Sequence, residues 1–264
     1  MAVVTGVNIN NAPGFSFDGV HSSTYGIYLG KSPFLLLPEL NNYFETIPGR
    51  EGVLDYGSNY QQREIVLSCM VLAVSEQDLK EKSRAIAAWL DPAKGLKRLI
   101  FDTEPDKFYL ARVTRGVQVE QIAKQGRFEV TFTAPDPYAY ALDDQIFTYT
   151  QIGSYMFERD GTAISYPKIE IKGMNTKGSG IIRITLNGRG VGYTGDLSSL
   201  ELLVIDSDLL TAYKEVNGQR VSAINDIDSV DFPVTKPGQN DVVITVQGGA
   251  LITEVKIYSR TRWI

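Results

Sequence analysis

In four well-separated stretches of this 264-residue chain the apolar residues fall mainly on alternate positions. They are Ile65, Leu67, Cys69 and Val71; Phe128, Val130 and Phe132; Ile182, Ile184 and Leu186; and Leu251, Val255 and Ile257. A period of two puts such side chains on one face of an extended strand and leaves the other face to water. That is the pattern of antiparallel sheets, because parallel strands are covered on both faces and read as continuous apolar runs. Asn187-Gly188 and Asn217-Gly218 lie between alternating runs and suit the positive backbone angles of tight hairpin turns. A mainly β fold with two-faced antiparallel strands follows.

One segment departs from this period. In "SEQDLKEKSRAIAAWLDP" Leu79, Ile86 and Leu90, with the small Ser83 between them, follow helical spacing, while Lys80, Lys82 and Arg84 point elsewhere. Ser75 with Asp78 three residues later has the form of a capping box, and Asp91-Pro92 discourages continuation, so a helix is expected over about 76–90. Two prolines in "TAPDPYAYALDD" interrupt the alternation directly after the Arg127–Thr133 run, which places a domain boundary there: 1–142 with strands and one helix, 143–264 with strands alone.

Charge excludes some functions. The net charge is −5, and neither half is basic: 14 Lys and Arg against 16 Asp and Glu up to Leu142, then 12 against 15. Proteins that grip nucleic acid concentrate cations, since counterion release from phosphates drives the binding, so tight DNA or RNA binding is not expected. The single cysteine permits no intramolecular disulfide, which suits assembly in a reducing cytosol. The start "MAVVTGVNINNAPG" lacks the basic and apolar regions of a signal peptide, and no apolar run is long enough to span a membrane.

Candidate chemistry is sparse. His21 is the only histidine, so a histidine-ligated metal pair or a catalytic triad is not expected, and His21 reads as an ordinary turn residue. Cys69 shares an alternating strand face with Ile65, Leu67 and Val71 and reads as a buried, inert thiol. "GVGYTG" (Gly190 to Gly195) matches the dinucleotide fingerprint, but it follows a two-faced strand and a hairpin turn and precedes another strand. Those glycines are expected to serve turns. Asp206 with Asp208, or Asp226, Asp228 and Asp231, could form a carboxylate pair or a calcium site; with 31 acids in the chain, loop solvation is the default reading. No cofactor, metal or enzymatic activity is expected. The abundant aromatics, 14 Tyr and 11 Phe, favour strands and are also enriched at protein interfaces.

"ETIPGREGVLDYG" (Glu45 to Gly57) has the crowding of glycine, proline and charge found in catalytic loops. No helix follows it, no Lys-Ser or Lys-Thr pair adjoins it, and no histidine is near. Pro48-Gly49 and Gly52 read instead as a turn between "YFETI" and "VLDYG" with Arg50 and Glu51 at its exposed tip, strand resuming from about Tyr60.

Taken in order, "FDGVHSSTYGIYL", "TIPGREGVLDYG", "QQREIVLSCMV", the capped helix ending "AAWL", "LIFDTEPDKFYLARV" and "RFEVTFTAPDPYAY" resemble the N-terminal domain of the distal tail proteins of long-tailed phages and phage-derived tails. "YPKIEIKG", "ELLVIDSDLLTAYKEVNGQRVSAI", "KPGQN" and "EVKIYSRTRWI" extend the resemblance over the second half. It implies a barrel- or sandwich-like N-terminal domain that forms a ring, typically a homohexamer, and a galectin-like or jelly-roll β-sandwich from about Gln145 to the end. It implies a virion protein at the tail tip, assembled in the host cytoplasm. Its partners would be the tail tube protein, the lysin-type hub protein of the tip and, in some relatives, receptor-binding proteins, with DNA passing through a central channel. An acidic balance suits such a conduit, since a cationic lumen would hold the DNA. The turn Pro48, Gly49, Arg50, Glu51 and Gly52 is then expected at a contact between neighbouring copies. Were the protein instead a binder of surface glycans, exposed Tyr193, Tyr213 or Tyr258 would stack on the sugar rings.

Overall fold

The computed structural model describes residues 13–30, 36–122 and 125–264. The first twelve residues, inspected above for a leader, lie outside it. The chain forms two compact units that divide between Leu142 and Asp143.

In the first unit the strands are β1 (Phe15–Phe17), β2 (Val20–His21), β3 (Ile27–Leu29), β4 (Leu40–Glu45), β5 (Leu54–Tyr60) and β6 (Arg63–Leu72). After the helix α1 (Glu76–Trp89) come β7 (Lys97–Phe101), β8 (Glu104–Val113), β9 (Glu120–Ile122), β10 (Gln125–Ala134) and β11 (Ala139–Ala141). A curled antiparallel sheet runs β2-β1-β7-β8-β10-β6-β3, with β9 on β10 and β11 on β8, while among the described residues β4 and β5 pair only with each other. Its central pairing, β6 with β10, aligns Ile65 with Phe132, Leu67 with Val130 and Cys69 with Phe128, so the apolar sets of both strands share the inner face. All six are at most 5% exposed.

Helix α1 covers that inner face. Leu79, Ile86, Trp89 and the following Leu90 are buried, whereas Lys80 and Arg84 are exposed. Trp89 stacks on Phe15 with ring centres 5.6 Å apart and donates its indole N–H to the Phe17 carbonyl at 3.0 Å. Gly126 is what lets the helix approach β6 and β10, since a Cβ there would lie 2.8 Å from Val71 and Val119 methyls and 3.2 Å from Leu79. Ser75 caps the helix as expected, accepting from the Asp78 N–H at 3.1 Å. Asp78 reaches one residue further back than in the usual box, to the N–H of Val74.

The second unit is a β-sandwich, as its alternation implied. Its strands are β12 (Ile146–Tyr149), β13 (Gly153–Arg159), β14 (Lys168–Met174), β15 (Ile181–Leu186), β16 (Arg189–Tyr193) and β17 (Leu202–Asp206). They continue with β18 (Thr211–Val216), β19 (Gln219–Ser222), β20 (Gly238–Gln247), β21 (Leu251–Tyr258) and β22 (Arg262–Trp263). One sheet has the order β12-β21-β14-β17-β18-β19 and the other β13-β20-β15-β16. Ile169, Ile171, Ile205 and Ile257 from the first face Ile182, Ile184, Leu186 and Ile244 from the second in one apolar cluster. Asn187-Gly188 and Asn217-Gly218 make the β15–β16 and β18–β19 turns, with positive φ at all four residues.

Leu251 departs from the expected pattern: it is 53% exposed although Val255 and Ile257 are buried. The β14–β21 register shifts between Lys172 and Gly173, so Thr253 is an extra residue on β21 and the inward phase passes to Ile252.

Candidate assembly interface

The ribbon of β4 and β5 is the part of the first unit least explained by its own core. Every residue of β4 is exposed, and Leu54 alone of β5 is partly covered. Strand begins at Leu54, earlier than the expected position near Tyr60. The turn falls where Pro48-Gly49 predicted it. Arg50 donates its N–H to the Ile47 carbonyl at 3.1 Å, with Pro48 and Gly49 as the central residues and Gly49 at φ +80°, the left-handed position a type II turn requires. Gly52, at φ +78°, makes a second reversal, and Pro48, Gly49, Arg50, Glu51 and Gly52 all stand exposed at the tip.

The backbone of the ribbon is specified by its own residues. Leu40 pairs with Tyr60 and Glu45 with Leu54, and the register shifts between Asn42 and Phe44. The extra residue lies on β5, where Gly57 takes φ +92° and its N–H is held by the Asp55 carboxylate at 2.8 Å. Tyr43 donates its hydroxyl to Asn59, Tyr56 to Glu45, and Gln61 its side-chain amide to Asn41, each bond linking the two arms. Tyr60 meets Tyr138 edge to face at the root.

Its side chains are the anomaly. Tyr43 is 50% exposed, Phe44 58%, Val53 53% and Tyr56 64%. Tyr43 and Phe44 are consecutive on a strand and so point to opposite faces. Among the described residues, neither face of the ribbon has an apolar surface to lie on. An isolated two-stranded ribbon is marginal in water, and a large exposed apolar patch marks an interaction site. The tip at 48–52 that the sequence singles out and the exposed Tyr43, Phe44, Val53 and Tyr56 lie on the same ribbon. The sequence signal for them is large apolar residues on both arms flanking the turn at 48–52.

The other candidate residues are satisfied locally. His21 caps a short 3-10 turn (Ser22–Tyr25), its Nδ1 accepting from the Ser23 N–H, and its Nε2 meets Asp102 at 3.1 Å. Burial pushes the Cys69 thiol up to about 12, so no thiolate is available. Gly192 lies within β16, packed under the Asp228 carboxylate, and no helix follows. The carboxylates are paired with cations: Asp206 with Arg260, Asp226 with Lys177, Asp228 with Arg183 and Asp231 with Arg189, while Asp208 lies 3.6 Å from Arg260. Among the described residues no group of three or more His, Cys, Asp or Glu side chains is placed to hold a metal ion, and no helix is long and apolar enough to cross a membrane.

The three tyrosines are differently placed from one another. Tyr193 is fully buried in the sandwich core and donates to the Asp196 carbonyl, so the exposure a stacking role needs is absent; burial raises its phenol far above the ordinary range. Tyr213 and Tyr258 are half-buried, with the Arg220 guanidinium and the Lys168 ammonium over their rings at 4.6 and 4.2 Å. Desolvation and the hydrogen bond to Glu170 push Tyr258 up to about 12.

Comparison with known proteins agrees with this architecture. Residues 20–134 match the family described as the phage tail protein RIFT-related domain. A sequence comparison with curated proteins gives no match. Among solved structures, the Dit protein of phage SPP1, a hub of the adsorption apparatus of phages infecting Gram-positive bacteria, is similar with a TM-score of 0.77 at 15% identity. That match covers 96% of this chain and 100% of SPP1 Dit. A chain of the phage P2 baseplate in its activated conformation with Ca is similar with a TM-score of 0.51 at 10% identity, covering 96% of this chain and 99% of that one. Residues 20–134 thus match the phage tail protein RIFT-related domain, and over nearly its whole length the chain has the fold of the SPP1 Dit protein.

Proposed function

We propose that this protein is a structural component of a phage tail tip, a distal tail protein whose first unit assembles into a closed ring, most simply a hexamer, between tail tube and tip. DNA would pass through the opening of the ring without being bound, in keeping with a net charge of −5. The observation that carries the reading is the β4–β5 ribbon: a self-specified arm with Tyr43, Phe44, Val53 and Tyr56 exposed is suited to a neighbour's surface. Cyclic assembly requires two different surfaces per copy, and a projecting arm on one side is one such surface. The tail tube protein and the hub protein of the tip are the partners above and below the ring, and the virion tail is its location. The β-sandwich would serve as a platform for further tail proteins.

The test is negative-stain microscopy and sedimentation of the purified protein over a concentration series. Rings of uniform subunit number, found also at the tail end of particles from the same source, are the expected result. A monomer at high protein concentration, together with its absence from the particles, would refute the reading.

A further inference from the structure

The receiving surface for the ribbon is also visible in the first unit. Between α1 and the segment after β8 lies a groove of about 610 Å³, floored by Ile86, Leu90, Val113, Val117 and Phe128. A recess of about 280 Å³ continues it along the helix past Leu79 and Val119. The charged residues lining the two are Arg112 and Arg115 in the groove and Lys80 and Arg84 in the recess, with no carboxylate among the described lining side chains. Arg115 shares its charge with Glu64 at 2.8 Å. The ribbon has the opposite balance, with Glu45, Glu51 and Asp55 against Arg50 alone.

We infer that the groove beside α1 receives the β4–β5 ribbon of the next copy, its apolar floor taking aromatic side chains of the ribbon and its cationic rim facing the ribbon's carboxylates. The occupant is a second copy because the ribbon of the same copy is exposed along its length and so does not fill the groove. Apolar side chains without a bed and an apolar bed without side chains, carrying opposite charge, are what a head-to-tail contact needs from one chain. The span from Leu40 to Tyr60 also has about the number of residues, roughly 20–30 a side, that a standard interface uses. This inference rests on the ring reading above and adds the partner surface to it.

Charge reversal tests it in a form that separates the two ideas. One variant reverses the ribbon (Glu45→Lys with Glu51→Lys) and the other the groove (Arg84→Glu with Arg112→Glu); all four positions are exposed, and an unchanged melting curve verifies the fold. Each variant alone is expected to associate at least about tenfold more weakly than the parent. Mixed one to one they should recover assembly, because reversed ribbon then meets reversed groove and parent ribbon meets parent groove in alternation. If the parent forms rings and either variant does so equally well, or if the mixture fails to recover, the ribbon-in-groove contact is wrong while the ring stands. An equally ring-competent groove variant would assign the groove to a different tail protein. A parent that forms no ring removes both.

Discussion

At the scale of single residues, the second unit is tied together by groups that no motif announces. Arg260 has φ +48°, a backbone conformation rare outside glycine, and is held there because the Asp144 carboxylate accepts from the N–H groups of Arg260 and Thr261. Its guanidinium then binds both oxygens of Asp206, at 2.8 and 2.7 Å, while Asp206 also accepts from the N–H groups of Asp208 and Leu209. Burial alone would raise the Asp206 carboxyl, but Arg260 and those N–H donors outweigh it and hold the group below the usual carboxylate range. A depressed carboxylate pKa gives stability that is fully present above the unfolded value, about 4, and is lost as pH falls through the folded value. Asp206→Asn should therefore cost about 1–3 kcal/mol at neutral pH, by leaving half-buried Arg260 with only the longer contact to Asp208 at 3.6 Å. The deficit relative to the parent should shrink as pH is lowered below about 4. Urea titrations at pH 7 and pH 3 read this directly, and a deficit independent of pH would mean that the carboxylate charge is not what Arg260 requires.

Elements were legible in the sequence where local chemistry and tertiary packing agree. The β6 and β10 alternation, the helix with its Ser75 cap and the two Asn-Gly turns all stand where the residue pattern places them. Leu251 departs from the pattern because a bulge changes strand phase without changing composition, and the strand against which the shift appears, at Lys172 and Gly173 of β14, is far away in sequence. Trp89 was not recognised as core because the helical stripe was drawn through Leu79, Ile86 and Leu90, and only the folded sheet supplies Phe15 and Phe17 as its partners. Gly126 was likewise silent, since nothing local requires a glycine in β10. Gly126→Ala should overpack the helix against β6 and β10 and cost about 1–3 kcal/mol. Thermal unfolding followed by tryptophan fluorescence should then show a fall in midpoint of about 2–4 °C per kcal/mol. An unchanged midpoint would show that Val71 and Val119 have room to give.

For the whole molecule, stability and assembly should be separable. In most proteins replacing several large apolar residues by serine weakens the core, but Tyr43 and Phe44 are 50% and 58% exposed and have no apolar bed among the described residues of their own copy. Their removal should leave the monomer's melting temperature within about 2–4 °C of the parent, since surface substitutions change stability by roughly 0.5 kcal/mol each. Burial of such a side chain at an interface contributes about 1.5–3 kcal/mol, so the pair together should shift association by two or more orders of magnitude. A closed ring amplifies this, because every copy makes the same contact and one weak link opens the circle. The double variant Tyr43→Ser, Phe44→Ser, measured by sedimentation velocity beside its melting curve, is thus expected to be a folded monomer at concentrations where the parent is assembled. Rings that persist at parental strength would show that the ribbon's apolar residues are turned toward another component of the tail and that the copies associate through a different edge.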